Sequence, residues 1–205
     1  MFGKNPLRPP EKGDGSTLLV QSIFHTIQGE GPRAGQPATF IRLGGCNLAC
    51  KFCDTEFESF KPMPLSQIIS KATGKLIIIT GGEPFRQPIE KLCEELIALG
   101  KIVQIETNGT LFRDLPKEVE IVCSPKTSEI RADLDARVTA YKFLISASLE
   151  GYTDIKFKTN KPIYVQPMDE YDEDKMYKNI EHTKNLAMEN GYNISLQLHK
   201  ILGIE

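Results

Sequence analysis

Short apolar runs recur along this chain, and most of them break off into Gly, Pro and small polar residues. TLLVQSIF (17–24) and ATFIRL (38–43) read as strands joined by the Gly/Pro-rich QGEGPRAGQP. LIIIT (76–80), KIVQIET (101–107), VEIVCS (119–124), YKFLIS (141–146), PIYVQP (162–167) and NISLQLH (193–199) read as further strands. Between them Ile89, Leu92, Cys93, Leu96 and Ile97 recur at helical spacing, and Gly100 ends that helix. A longer helix is expected over about 172–190, capped by Gly191. Strands separated by helical or irregular crossovers, weakly helical after Ser124, predict a mainly parallel α/β sheet.

In a parallel sheet or barrel, ligands bind at the carboxyl ends of the strands. The polar stretches of this chain sit there repeatedly. GGCNLACKFCDT follows Leu43, TGGEP follows Ile79, ETNGT follows Ile105, CSPK follows Val122 and QPMD follows Val165. Each could be an ordinary turn; their coincidence at one rim predicts a site.

CNLACKFC (46–53) gathers three of the five cysteines in the spacing C-x3-C-x2-C. Structural zinc closes its shell with four ligands, and only His25, His182 or His199 could supply a fourth from a distance. Iron–sulfur clusters also take Cys thiolates, usually four, so three would leave one iron open to a ligand. The bland reading is three small apolar fillers. Cys93 on a helix and Cys123 on a strand read as core residues.

Composition narrows the class. A chain of 205 residues, 40% hydrophobic, is expected to be globular, with residues 1–16 as a flexible leader and 17–205 as one domain. The formal net charge is −2 and no basic stripe stands out, so nucleic-acid binding is not expected. The apolar runs are too short to span a bilayer, and MFGKNPLRPPEKGDG lacks the apolar core of a secretory signal. A cytoplasmic location is expected, where disulfides are disfavoured.

CNLACKFC together with GGEP (81–84) resembles the cluster motif and second motif of the radical S-adenosylmethionine superfamily. The resemblance implies a partial, reduced parallel (β/α) barrel, with Cys46, Cys50 and Cys53 holding a [4Fe-4S] cluster whose open iron takes S-adenosylmethionine. TIQGEGPRAGQPATFIRLGGCNLACKFCDT (26–55), with ETNGT, SPK, QPMD and the terminal LQLHKILGIE, is similar to the 7-carboxy-7-deazaguanine synthases of the queuosine and deazapurine pathway. That family converts 6-carboxy-5,6,7,8-tetrahydropterin into 7-carboxy-7-deazaguanine with loss of ammonia. A 5′-deoxyadenosyl radical takes hydrogen from C6 of the pterin, the ring contracts, and Mg2+ assists.

By the same resemblance, Thr55 is a Mg2+ ligand, with Asp54 beside it as an outer group or a cap. Ile27, Gln28, Gly29, Arg42 and Thr80 contact substrate, with Glu30, Glu106, His199 and the terminal Glu205 as weaker candidates. Gly82, Ser124, Pro125, Lys126, Gln166, Pro167, Met168 and Asp169 contact S-adenosylmethionine. On strand alternation alone, Phe40 and Arg42 share one face and Ile41 and Leu43 the other, so Arg42 enters the lumen if its face points inward. An external, flavodoxin-like electron donor is implied, and the open side of a reduced barrel suggests a homodimer. Two alternatives remain from the residues: an activase of the same superfamily acting on a protein partner, and a non-enzymatic zinc-binding module.

Overall fold

The computed structural model describes residues 5–50, 52, 53 and 55–204. β1 (Thr17–Ile27) and β2 (Pro37–Leu43) form an antiparallel hairpin in which Phe24 faces Phe40. β3 (Lys61–Pro64) pairs antiparallel on the other edge of β1. It carries Pro62 and Pro64, which lack an N–H and suit an edge. From β2 onward the sheet is parallel: β4 (Leu76–Gly81), β5 (Ile102–Thr107), β6 (Glu120–Cys123), β7 (Ala140–Ile145), β8 (Ile163–Pro167) and β9 (Asn193–Ile194) follow in order. Among the described residues no pairing joins β3 to β9, so the nine-stranded sheet stays open.

Helices α1 (Leu65–Lys71), α2 (Glu90–Ala98), α3 (Ala132–Arg137) and α4 (Glu173–Asn190) fill the crossovers. The Asp172 side chain caps α4 by accepting from the Lys175 amide at 3.0 Å, and Gly191 ends it in the left-handed conformation at φ 70°. The crossover after Ser124 holds only the six-residue α3, in line with its weak helical pattern.

The period of two sorts every strand into two faces. Ile41, Leu43, Ile77, Ile79, Val103, Ile105, Ile121, Tyr141 and Val165 point outward and merge with Ile68 of α1, Leu92 and Leu96 of α2 and Leu134 of α3 into one core. Truncating a fully buried member, as in Ile79→Ala, costs about 2–5 kcal/mol. The opposite face is apolar at its base, where Ala38, Leu76 and Ile78 meet Phe40 and Ile102. Above that floor the same face carries Arg42, Thr80, Glu106, Lys142 and Gln166.

Two regions differ from the sequence reading. NISLQLH is not one strand: pairing stops after Ile194, and Leu198–Leu202 is a short helix, α5. The cause is Ser195, buried at 2% exposure, whose hydroxyl accepts from the Gly31 amide at 2.9 Å and donates to Gln166 Oε1 at 3.0 Å. That tie, with the Leu198 amide on the Gly29 carbonyl at 3.1 Å, draws the chain across the mouth of the sheet.

Of residues 1–16, expected as a flexible leader, 1–4 lie outside the described residues, and 5–16 lie along the loop that follows β2. Leu7 bridges Cys46, and the Arg8 amide donates to the Cys46 carbonyl at 2.7 Å. The Arg86 side chain, fully buried, donates to the carbonyls of Pro9 and Gly44, both at 2.9 Å, and pairs with Glu11 at 2.7 Å.

Candidate active site

The carboxyl ends of the parallel strands open into a cavity of about 290 Å³. β2 leaves the sheet at Leu43, and Gly44–Gly45 turn the chain inward, Gly45 at φ +76°, a conformation glycine adopts without strain. Cys46, Cys50 and Cys53 then line one wall with Leu48 and Phe52. The Leu48 amide donates to Cys46 Sγ at 3.4 Å, and the side-chain amides of Asn108 and Asn5 approach Cys46 and Cys53 Sγ at 3.8 Å each.

These donors and soft sulfurs fit an iron–sulfur cluster, whose thiolates are tuned by N–H groups on sulfur. Among the described residues no three His, Cys, Asp or Glu side chains converge on a single ion. A cluster takes one thiolate per iron, so its ligands surround it and need not meet at a point. Burial pushes the Cys46 thiol up to about 11 and raises Cys50, so both are neutral thiols until a cation draws the proton off. Cys93 and Cys123 lie fully buried in the outer core, away from this wall.

The loop after β4 locks against the cluster loop. The Gly82 amide donates to the Leu43 carbonyl at 3.2 Å and the Glu83 amide to the Gly45 carbonyl at 3.1 Å. Glu83 is fully buried and accepts from the Phe85 amide, the Thr107 hydroxyl and the Asn108 amide at 2.7–3.0 Å. Burial pushes its carboxyl up to about 7, against those donors. Its contacts join the ends of β4 and β5, and its side chain does not line the cavity.

The opposite wall is charged. Lys142, on β7 and only 6% exposed, bonds Glu30 Oε2 and lies 3.2 Å from Glu106 Oε2. The other oxygens accept from amides: Glu30 Oε1 from Gln166 and Gln197, both at 3.0 Å, and Glu106 Oε1 from Gln28 at 2.8 Å. Gln28 Oε1 closes the circuit by accepting the Glu30 amide at 3.1 Å. Burial opposes charge on Glu30, but Lys142, Gln197 and His199 outweigh it and hold the carboxyl down at about 2. Burial likewise opposes the Lys142 charge, yet Glu106 and Glu30 keep the ammonium above its ordinary range. Lys126, beside Ser124 Oγ at 2.7 Å and over the Phe52 ring, is brought down to about 8 by burial.

The residues singled out from the sequence meet here. Ile27, Gln28, Gly29, Glu30, Arg42, Thr55, Thr80, Gly82, Glu106, Ser124, Lys126, Gln166, Pro167, Met168, Asp169 and His199 all line the cavity with the three cysteines. Arg42 does lie on the inner face, its guanidinium 5.0 Å from the Phe24 ring centre. Pro125 is half-buried and not part of the lining. Asp54 and Glu205 lie outside the described residues. Gly29 proves more than a turn glycine, since a Cβ there would collide with the His199 ring and come 3.0 Å from its amide. Lys142, Gln197, Asn108 and Phe24 line the cavity and were not foreseen. A signal existed for Lys142: it is a cation in the apolar run YKFLIS, where period two turns it to the face opposite Tyr141.

The model of the Radical SAM superfamily matches residues 40–199. The 7-carboxy-7-deazaguanine synthase of Rickettsia prowazekii (strain Madrid E) is 51% identical over 225 aligned positions, covering 100% of this chain and 96% of its relative. That of Rhodospirillum rubrum is 40% identical over 238 positions, covering 100% of both. The crystal structure of QueE from Escherichia coli superposes with a TM-score of 0.73 at 21% identity, covering 88% of this chain and 94% of that one, a likeness of fold. The chain belongs to the radical SAM superfamily and, within it, to the family of the 7-carboxy-7-deazaguanine synthases.

Proposed function

We propose that this chain converts 6-carboxy-5,6,7,8-tetrahydropterin into 7-carboxy-7-deazaguanine with release of ammonia, a ring contraction on the route to queuosine and other deazapurines. The observation that carries the reading is one cavity with three thiols on one wall, Arg42 on the inner sheet face, and Glu30 and Glu106 opposite. A carboxylated pterin has an anion at one end and an amino-pyrimidinone rich in N–H donors at the other. Arg suits a carboxylate through its planar fork, and carboxylates suit paired N–H donors.

When bound, the [4Fe-4S] cluster and S-adenosylmethionine supply the hydrogen-abstracting radical. Cys46, Cys50 and Cys53 would hold the cluster. Gly82, Ser124, Lys126 and Gln166–Asp169 would hold S-adenosylmethionine, with Pro125 shaping its loop from outside the lining. Arg42 orients the substrate carboxylate, and Gln28, Glu30 and Glu106 receive its pyrimidine edge, with Ile27, Gly29, Thr80 and His199 around it. Thr55 would offer a hard oxygen to Mg2+, an ion that prefers oxygen ligands. Phe24 and Phe40, stacked with ring centres 5.3 Å apart, keep water from the Arg42 side.

The zinc-module alternative falls with family membership, and no observation favours an activase. No helix of the described residues is long and apolar enough to cross a membrane. A cytoplasmic enzyme reduced by an external flavodoxin-like donor is the reading we adopt. The edge strand β9, with Ile194, Leu196, Ile201 and Leu202 exposed around it, supports a homodimer.

The test is an anaerobic assay of reconstituted protein with the carboxy-tetrahydropterin, S-adenosylmethionine, Mg2+ and a reductant. Deazaguanine and ammonia should form in equal amounts, and a chelator of Mg2+ should slow turnover. Deoxyadenosine without either product would sink the substrate assignment.

A further inference from the structure

We propose that Lys142 is a positioning residue for the substrate, fixing Glu30 and Glu106 as the acceptors that read the amino-pyrimidinone edge; this rests on the reaction proposed above. Tyr141 is fully buried in the outer core, so alternation turns Lys142 to the inner face. There it joins two carboxylates from distant parts of the chain, Glu30 after β1 and Glu106 on β5. It engages one oxygen of each, while side-chain amides engage the other. An ionised carboxylate has about four lone-pair sites, so each keeps acceptor capacity for a ligand.

Two carboxylates facing one cavity repel, and without a cation one of them takes a proton and becomes a donor. A donor there opposes the ring N–H and amino group of a pterin. Lys142 therefore sets the polarity of this end of the cavity, and removing it alone would leave two carboxylates there without their cation. Arg42 on β2 and Glu106 on β5 stand two strand spacings apart, about 10 Å. The two ends of the substrate are thus sorted, the carboxylate toward β2 and the pyrimidine toward β5 and β7.

The experiment uses reconstituted full-length wild type, Lys142→Met and Lys142→Arg. Iron content, S-adenosylmethionine binding and binding of the carboxy-tetrahydropterin are measured anaerobically across the neutral pH range. Lys142→Met should keep iron and bind S-adenosylmethionine normally but lose about a hundredfold in pterin affinity. Its pterin affinity should also recover as pH rises, because Glu30, left without its cation, regains an acceptor on losing its proton. The other charged groups facing this cluster, Glu106, Lys126 and His199, are the same in wild type, whose profile serves as the reference. Lys142→Arg should restore most of the affinity.

Equal pterin affinity and pH profile in Lys142→Met and wild type would overturn the proposal. Should Lys142→Met fold poorly, Glu30→Gln/Lys142→Met removes the stranded charge. It should bind the pterin weakly with a flat pH profile. Loss of iron and S-adenosylmethionine binding in both variants would assign Lys142 to folding alone and overturn the proposal. Failure of wild type itself to bind the pterin would instead sink the reaction assigned above.

Discussion

Gly82 lies back to back with Gly45: a Cβ on Gly82 would overlap the Gly45 carbonyl and stand 2.9 Å from the Cys46 nitrogen. The obstacle is backbone, which cannot swing aside as a side-chain tip can. The rim loop of β4 and the cysteine loop of β2 are therefore one mechanical unit. Gly82→Ala should push Cys46 out of place, cost about 1–3 kcal/mol by overpacking, and lose most of its iron after reconstitution. Wild-type iron content and melting temperature in Gly82→Ala would show that the two loops are not coupled.

The cysteines divide by wall. Cys46, Cys50 and Cys53 line the cavity, while Cys93 and Cys123 are fully buried among the apolar side chains outside the sheet. Replacing any of the first three by Ala should abolish cluster retention. Cys93→Ala and Cys123→Ala should keep iron near wild type and lose only the modest packing energy of a small side chain, about 1 kcal/mol. Iron analysis and the visible absorption of the cluster check both halves. Iron loss in Cys123→Ala equal to that in Cys46→Ala would reverse the assignment.

The parallel sheet and its rim were legible because short apolar runs such as LIIIT end abruptly in glycine and polar residues. Alternation alone put Arg42 and Phe40 on one face and Ile41 and Leu43 on the other; it took the family resemblance to turn the Arg42 face inward. What the sequence hid were contacts made between distant segments. Ser195 looks like one polar position in an alternating strand, and only its bonds to Gly31 and Gln166 show why pairing stops there. Lys142 stands out as a cation in an apolar run, but the sequence does not say that Glu30 and Glu106 lie beside it. Residues 5–16 have the Pro and Gly content of a tail, and local composition cannot report that Arg86, far along the chain, gathers two carbonyls and Glu11.

Stability should fall at acid pH through Glu30. Its carboxyl is held at about 2 in the folded protein against an ordinary 4.5, so the folded state binds fewer protons than the unfolded chain between those values. The contribution is present in full above 4.5 and is lost as pH falls through about 2. Lys142, raised in the same cluster, keeps its contribution throughout that range. Urea midpoints of wild type should therefore drop steeply below about pH 4.5, and those of Glu30→Gln less steeply. Parallel acid profiles for the two would remove Glu30 from the linkage.

Deleting residues 1–11 should loosen the cluster loop although it removes no cysteine. The deletion takes away the Leu7 bridge to Cys46, the Arg8 amide on the Cys46 carbonyl and the Arg8–Glu58 pair at 2.6 Å. It also removes Glu11 and the Pro9 carbonyl from Arg86, a buried cation that then keeps the Gly44 carbonyl. Leaving a buried charge without its partner costs about 3–5 kcal/mol at most, less here because Glu11 is partly exposed. Reconstituted iron should fall well below wild type, and proteolysis should open the chain between β2 and β3 first. Full iron and an unchanged digest would make this segment a passenger.

Arg42 tests the substrate and not the superfamily. It lies half-buried on the inner face of β2, opposite Thr80 on β4 and over the Phe24 ring at 5.0 Å. The ring fixes the plane of the guanidinium and shields one side from water, which strengthens a charge-assisted pair. Because the site is half-open, the loss on removing Arg42 is smaller than for a sealed ion pair, about 1.5–3 kcal/mol. At about 1.4 kcal/mol per decade, Arg42→Ala should weaken carboxy-pterin binding roughly tenfold to a hundredfold or slightly more. Arg42→Lys should recover part of it, since an ammonium keeps the charge but loses the bidentate fork and the stack on Phe24. A pterin lacking the carboxylate should bind wild type and Arg42→Ala alike, because its pyrimidine edge still meets Glu30 and Glu106. Iron content and uncoupled cleavage of S-adenosylmethionine should survive, as neither involves the pterin. Titrating both pterins into wild type and Arg42→Ala separates the terms: if the variant discriminates between them as strongly as wild type does, the carboxylate is held by another group.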